Sequence, residues 1–147
     1  MYEIISLFIL LSGFVIGLGA VTVIDLHGFL GRKSSYWGEA TVRTHKVTKP
    51  LIWLGTLLAI VGGLLYFKNF PTTIVPITLS YIAVALVLNG FFLSFSVSPY
   101  LLKMEREGRA GELLPKTWQR KIAVSLVVSD LGWWSALLLL AYYLTTK

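Results

Sequence analysis

The stretch that decides the fold is IISLFILLSGFVIGLGAVTVIDL, residues 4–26, which carries a single charged side chain, Asp25. About 20 apolar residues in a helix cross a 30 Å hydrocarbon core. Three further apolar segments of about this length follow at residues 51–67, 74–93 and 122–144. The chain is 56% hydrophobic and 14% charged, whereas soluble domains are usually about a quarter charged. The sequence therefore predicts an all-α membrane protein, a bundle of four transmembrane helices.

The predicted boundaries make residues 1–147 a single membrane domain. We expect helices at about 4–27, 49–67, 73–98 and 121–145, with basic loops at 28–48 and 99–120 and a short outer turn at 69–76 (NFPTTIVP). The first basic loop should contain a short helix that leads into the second span, with a kink or boundary at Pro50. Nearly all of the 13 Lys and Arg residues lie in or beside the two basic loops. Short basic loops stay in the cytoplasm, so both termini are predicted to face outside (N-out/C-out).

The charge and composition of the chain also limit which binding partners are expected. The formal net charge of +6 is explained by the cytoplasmic loops, so no nucleic-acid partner is predicted. The expected partners are the lipid bilayer, anionic headgroups at the cytoplasmic face, and further copies of the chain or a larger membrane complex. An integral protein of a prokaryotic plasma membrane is the expected localisation.

Several kinds of chemistry have no support in the sequence. With no cysteine, the chain forms no disulfide, thiolate metal site or c-type haem attachment. Ser-His-Asp arrangements, HExxH and phosphate-binding glycine loops are absent as well. A binding or transport protein is therefore favoured over an enzyme.

One polar position continues a helical stripe in the first span. Gly13, Gly17, Val21 and Asp25 recur at intervals of four, so they share one helix face. The small residues permit close helix approach, which predicts that Asp25 faces another helix rather than lipid. His27 is rotated from Asp25 by about 200° at 3.6 residues per turn, so the two should not bind one ion.

A second carboxylate lies deep in the fourth span. Asp130 lies nine residues after Lys121, about 13.5 Å into the bilayer at 1.5 Å per residue, where an unpaired carboxylate is costly and usually functional. Asn89 belongs to a polar seam on the third span. The first hypothesis is therefore a ligand or proton site built from Asp25, Asn89 and Asp130 in the cytoplasmic half of the bilayer. The structural alternative is that these residues only hold helices together, as in a subunit of a larger complex.

The two histidines support a different hypothesis. His27 and His45 approach the same membrane face, and two imidazoles can be the axial ligands of a b-type haem. Four cations would then be placed to meet the propionates: Arg32, Lys33, Arg43 and Lys46. The simpler alternative is two interfacial imidazoles bonded to backbone or water.

Two short motifs carry a resemblance. THKVTKPLIWLG (residues 44–55) and LNGFFLSFSVSPYL (residues 88–101) resemble the small four-helix membrane proteins of the copper-resistance-D and J-type protoporphyrinogen-oxidase kind and related uncharacterised families. The resemblance implies a copper-handling or haem-linked role. The segment EATVRTHK (residues 39–46) is also similar to the glutathione- and eicosanoid-handling four-helix membrane family, which has a comparable Arg-x-His.

Overall fold

The computed structural model of the protein describes residues 1–68 and 73–146, and this part of the chain is mostly helical and contains no strand. In chain order the helices are α1 (Tyr2–Leu30), α2 (Ser35–Phe67), α3 (Ile74–Phe92), α4 (Ser98–Arg106) and α5 (Lys116–Thr146). One turn of π-helix, Leu93–Val97, joins α3 to α4. Four spans are long and apolar enough to cross a membrane: α1, α2, α3 with α4, and α5. The prediction of an all-α four-helix bundle is confirmed, and it is compatible with an integral membrane protein.

The helices extend further into polar sequence than predicted. Helix α2 begins at Ser35 and includes Pro50, so the helix expected within the loop 28–48 is continuous with the second span and takes up most of that loop, and Pro50 lies inside the helix. A pair spaced i,i+4, Glu39 and Arg43, supports the polar part of α2 with an ion pair of 2.6 Å. Hydropathy marks where a helix enters lipid, whereas helix ends depend on capping and tertiary contacts.

The third span also differs from the predicted helix at 73–98. Helix α3 ends at Phe92 and a π-turn follows. Helix α4 then continues the third span to Arg106. Pro99 near the start of α4 has no N–H to donate to the preceding turn, which accounts for an irregularity just before it. The expected loop 99–120 is therefore reduced to residues 107–115. Of the outer turn predicted at 69–76, residues 69–72 lie outside the described residues, whereas Ile74, Val75 and Pro76 already belong to α3.

Helices α1 and α2 form an antiparallel pair built on glycine. Gly31 lies against Gly38, Gly17 against Gly55, and Leu10 against Gly62, so residue numbers rise along one helix as they fall along the other. A Cβ placed on Gly55 would overlap the backbone of α1. The glycine stripe of α1 is thus used inside this chain, within the α1–α2 interface.

Helix α5 completes the core from the other side of α1. The Trp133 indole, 3% exposed, fills the notch at Gly17 and meets Phe14 edge-on with ring centroids 5.7 Å apart. Helix α3 packs mainly on α5, where Leu86 covers Gly132. Contacts between α2 and α3 are sparser and include Trp53 against Gly90 and Phe91.

Candidate functional site

A cavity of about 130 Å³ lies at the basic end of the bundle. Its walls come from the last turns of α1, the first half of α2, the π-turn with α4, and the start of α5, and residues of the 107–115 loop lie at its edge. Most of the lining is apolar. The volume is room for several waters, and it is below the ~300 Å³ at which sites for drug-sized ligands begin.

Asp25 is a buried ionisable group in the lining of this cavity. Its side chain lines the cavity and the residue is only 7% exposed. The Oδ2 atom is buried and has no hydrogen-bond partner among the residues that the structure describes. Within the described residues Asp25 takes part in no ion pair. The i,i+4 stripe of α1 explains its position, because the stripe that packs against α2 and α5 ends at this residue.

One face of α2 supplies the opposite wall through residues spaced by four. His45 lines the cavity, and its Nδ1 atom is buried without a hydrogen-bond partner. One turn later, Lys49 Nζ donates to Ser98 Oγ over 3.3 Å. After another turn, Trp53 Nε1 donates to Ser94 Oγ over 3.0 Å. These two bonds hold the π-turn and α4 against α2.

The remaining members of the first hypothesis lie elsewhere. Asp130 is partly buried and does not line this cavity, but it is close enough to Asp25 for their charges to interact. Asn89 exchanges two hydrogen bonds with Ser125 of α5: its Nδ2 donates to the Ser125 carbonyl over 3.1 Å and its Oδ1 accepts from the Ser125 hydroxyl over 2.6 Å. The expected common pocket of Asp25, Asn89 and Asp130 is therefore not formed around this cavity.

The histidines are not brought to one cavity. His27 packs its ring on Trp37, with centroids 5.1 Å apart, and does not line the cavity that His45 lines. Its Nδ1 atom is also buried without a hydrogen-bond partner. No cluster of three or more His, Asp or Glu side chains that could hold a metal ion occurs among the residues the structure describes. The two imidazoles that were predicted as axial haem ligands therefore do not line one common cavity.

The four predicted propionate contacts are dispersed. Arg32 lines the cavity, whereas Lys33 does not and is exposed. Arg43 is paired with Glu39 at 2.6 Å, and Lys46 is paired with Glu105 at 2.7 Å. Lys49 was not predicted as a site residue, although its spacing from His45 places both on one face of α2.

The loop at the cavity edge is held by its own charges. The Arg109 guanidinium bonds to Glu112 at 2.9 Å and to Glu107 at 3.1 Å. The hydrogen bond from Arg109 lowers the pKa of the Glu112 carboxyl, and their opposite charges act in the same direction. Glu112 itself lines the cavity, so this ionic cluster shapes its outer rim.

No protein-family model, no curated protein and no solved structure matches the chain. The resemblance to the copper-resistance-D and J-type protoporphyrinogen-oxidase families stays a prediction. The geometry of the cavity is the basis on which a function is proposed.

Proposed function

We propose that the chain is a small membrane binding or transport protein in which Asp25 takes up and releases a proton inside the hydrated cavity at the basic end. One observation carries this proposal: the Asp25 carboxyl is 7% exposed and has an oxygen without a hydrogen-bond partner, and it lines a cavity with room for water. A buried carboxylate without a compensating cation is stabilised when it binds a proton.

The side chains of the cavity favour a proton over a metal cation. Asp25 and Glu112 are the carboxylates that line the cavity, and no group of three or more His, Asp or Glu side chains that could hold a metal ion occurs among the described residues. A proton needs no coordination shell and can be carried by water. His45 is a second titratable group of the same cavity lining.

The wider setting of the protein follows from its charge pattern. By the positive-inside rule, we expect the basic end of the bundle to face the cytoplasm. The expected membrane is a prokaryotic plasma membrane. We expect a homo-oligomer or a larger membrane complex, because four helices are few for a transport protein. Since Gly13 and Gly17 contact α2 and α5 within one chain, an oligomer would use another face.

A hydrophobic carbodiimide tests the proposal. Dicyclohexylcarbodiimide adds to a protonated carboxylic acid within an apolar site and leaves a stable acylurea, which is mapped by peptide mass spectrometry. We expect labelling of Asp25 in the reconstituted protein, at a rate that falls as pH rises because the ionised form does not react. Glu39 is exposed and ion-paired and serves as the internal control that stays unlabelled. The proposal would be refuted if Asp25 were not labelled, or if the rate of its labelling did not depend on pH.

A further inference from the structure

A second depression, separate from the Asp25 cavity, lies between α3 and α5 near the basic end. It encloses about 450 Å³, which is within the ~300–1,000 Å³ of small-molecule sites. We call it the α3–α5 groove and define it by six of its lining residues: Phe92, Thr117, Arg120, Lys121, Val124 and Val128. None of these residues lines the Asp25 cavity.

The groove changes character along its length. Thr117, Arg120 and Lys121 occupy the first turns of α5, at the basic end. Val124 and Val128 follow Arg120 at about 6 Å and 12 Å along the helix axis, at 1.5 Å per residue. A molecule lying in the groove therefore meets positive charge at one end and hydrocarbon at the other.

Two polar side chains of the groove lining are already paired with each other. Asn89 and Ser125 also line it, and their side chains bond to each other at 2.6 Å. The Asn89 side-chain nitrogen donates a hydrogen bond to the Ser125 carbonyl. The inner part of the groove thus presents a surface with its hydrogen bonds satisfied, which suits an apolar chain.

The two cations at the mouth of the groove lack an acidic partner. In the part of the chain that the structure describes, neither Arg120 nor Lys121 takes part in an ion pair. Both are exposed, and the Lys121 ammonium lies 5.1 Å above the Trp118 ring. By contrast, Arg43 and Lys46 are each neutralised by a glutamate. The mouth of the groove carries positive charge that is complementary to an anion.

We infer that the α3–α5 groove binds one anionic phospholipid of the surrounding bilayer. The phosphate lies at Arg120 and Lys121, and an acyl chain lies over Val124, Val128 and Phe92. Basic pockets between transmembrane helices are a recognised form of headgroup site. This inference does not depend on protonation of Asp25, so either proposal can fail without the other.

Native mass spectrometry of the detergent-purified protein tests the inference. The probes are phosphatidylglycerol and phosphatidylcholine with identical acyl chains, so that only headgroup charge differs. We expect the phosphatidylglycerol adduct to form at lower lipid concentration than the phosphatidylcholine adduct. The double variant Arg120→Gln/Lys121→Gln should weaken phosphatidylglycerol binding by on the order of tenfold.

Two matched controls distinguish binding in the groove from effects of surface charge or of added bulk elsewhere on the protein. The pair Lys33→Gln/Arg106→Gln removes the same charge from exposed positions outside the groove and should leave binding unchanged. Val124→Trp fills the groove and should reduce binding, whereas Val127→Trp, also on the exposed surface of α5, should not. Equal binding of the two lipids, or equal losses in groove and control variants, would overturn the inference.

Discussion

At the scale of single residues, the spacing of α1 explains why Asp25 and His27 have different surroundings. The stripe Gly13, Gly17, Val21, Asp25 predicts that Asp25 faces other helices, and the structure buries it. The same spacing turns His27 away from Asp25, and it lies against Trp37. Periodicity identifies the face of a helix but not the partner helix, so the pairing of Asn89 with Ser125 was not predictable.

The unpartnered carboxyl of Asp25 should lower stability. A buried polar group without a hydrogen bond costs about 1–3 kcal/mol, so Asp25→Leu is expected to raise the free energy of unfolding in detergent by up to that amount. Val21→Ala is the matched control one turn earlier, at a side chain only 2% exposed, and should lower stability by about 1 kcal/mol. Denaturation curves of the two variants measure both effects. A loss of stability in Asp25→Leu comparable to the control would mean that Asp25 is a structural residue.

At the scale of elements, the glycines of α1 and α2 and the π-turn determine how the helices fit together. The motif Gly13-x-x-x-Gly17 predicts close helix approach, and the structure shows its partner, Gly55. The π-turn at Leu93–Val97 has no comparable signature in the sequence, although Pro99 indicates a break nearby. Its position depends on the bonds from Lys49 and Trp53 to the two serines, which are tertiary contacts.

Helix α1 should not tolerate a side chain at position 55 of α2, where Gly55 lies against the Gly17 backbone. In Gly55→Ala the added methyl group would overlap the Gly17 backbone, and relief requires the helices to separate. We expect a loss of about 1–3 kcal/mol, the usual range for overpacking. Gly19→Ala is the control, because a Cβ at Gly19 meets nothing within 4 Å. Unfolding curves in detergent compare the two, and equal stability would contradict the glycine-based packing of α1 and α2.

At the scale of the whole molecule, composition and hydropathy were sufficient to predict four helices that are long and apolar enough to cross a membrane, and the structure contains four such helices among the described residues. They were not sufficient for the helix ends, since α2 and α4 continue as helices through charged sequence. The candidate cavity joins residues from all five α-helices, the π-turn and the 107–115 loop. A site of this kind depends on register between helices, for which a single sequence carries no direct signal.

The orientation of the bundle is a prediction for the intact molecule. Because the chain has no cysteine, single substitutions report topology without background. Gly111→Cys in the basic loop should resist a membrane-impermeant maleimide added to intact cells and react after lysis. Thr145→Cys, near the end of α5, should react in both cases. The reverse pattern would place the basic end outside.

The central claim is that Asp25 exchanges a proton within the bundle, and infrared difference spectroscopy measures this directly. In the reconstituted protein, a carboxylic-acid C=O band should appear as pH is lowered and shift in D₂O. Asp25→Asn should remove that band, whereas Asp130→Asn should leave it present with a changed midpoint, because the two charges interact. A titrating carboxyl band that is the same in Asp25→Asn and in the unmodified protein would contradict the account.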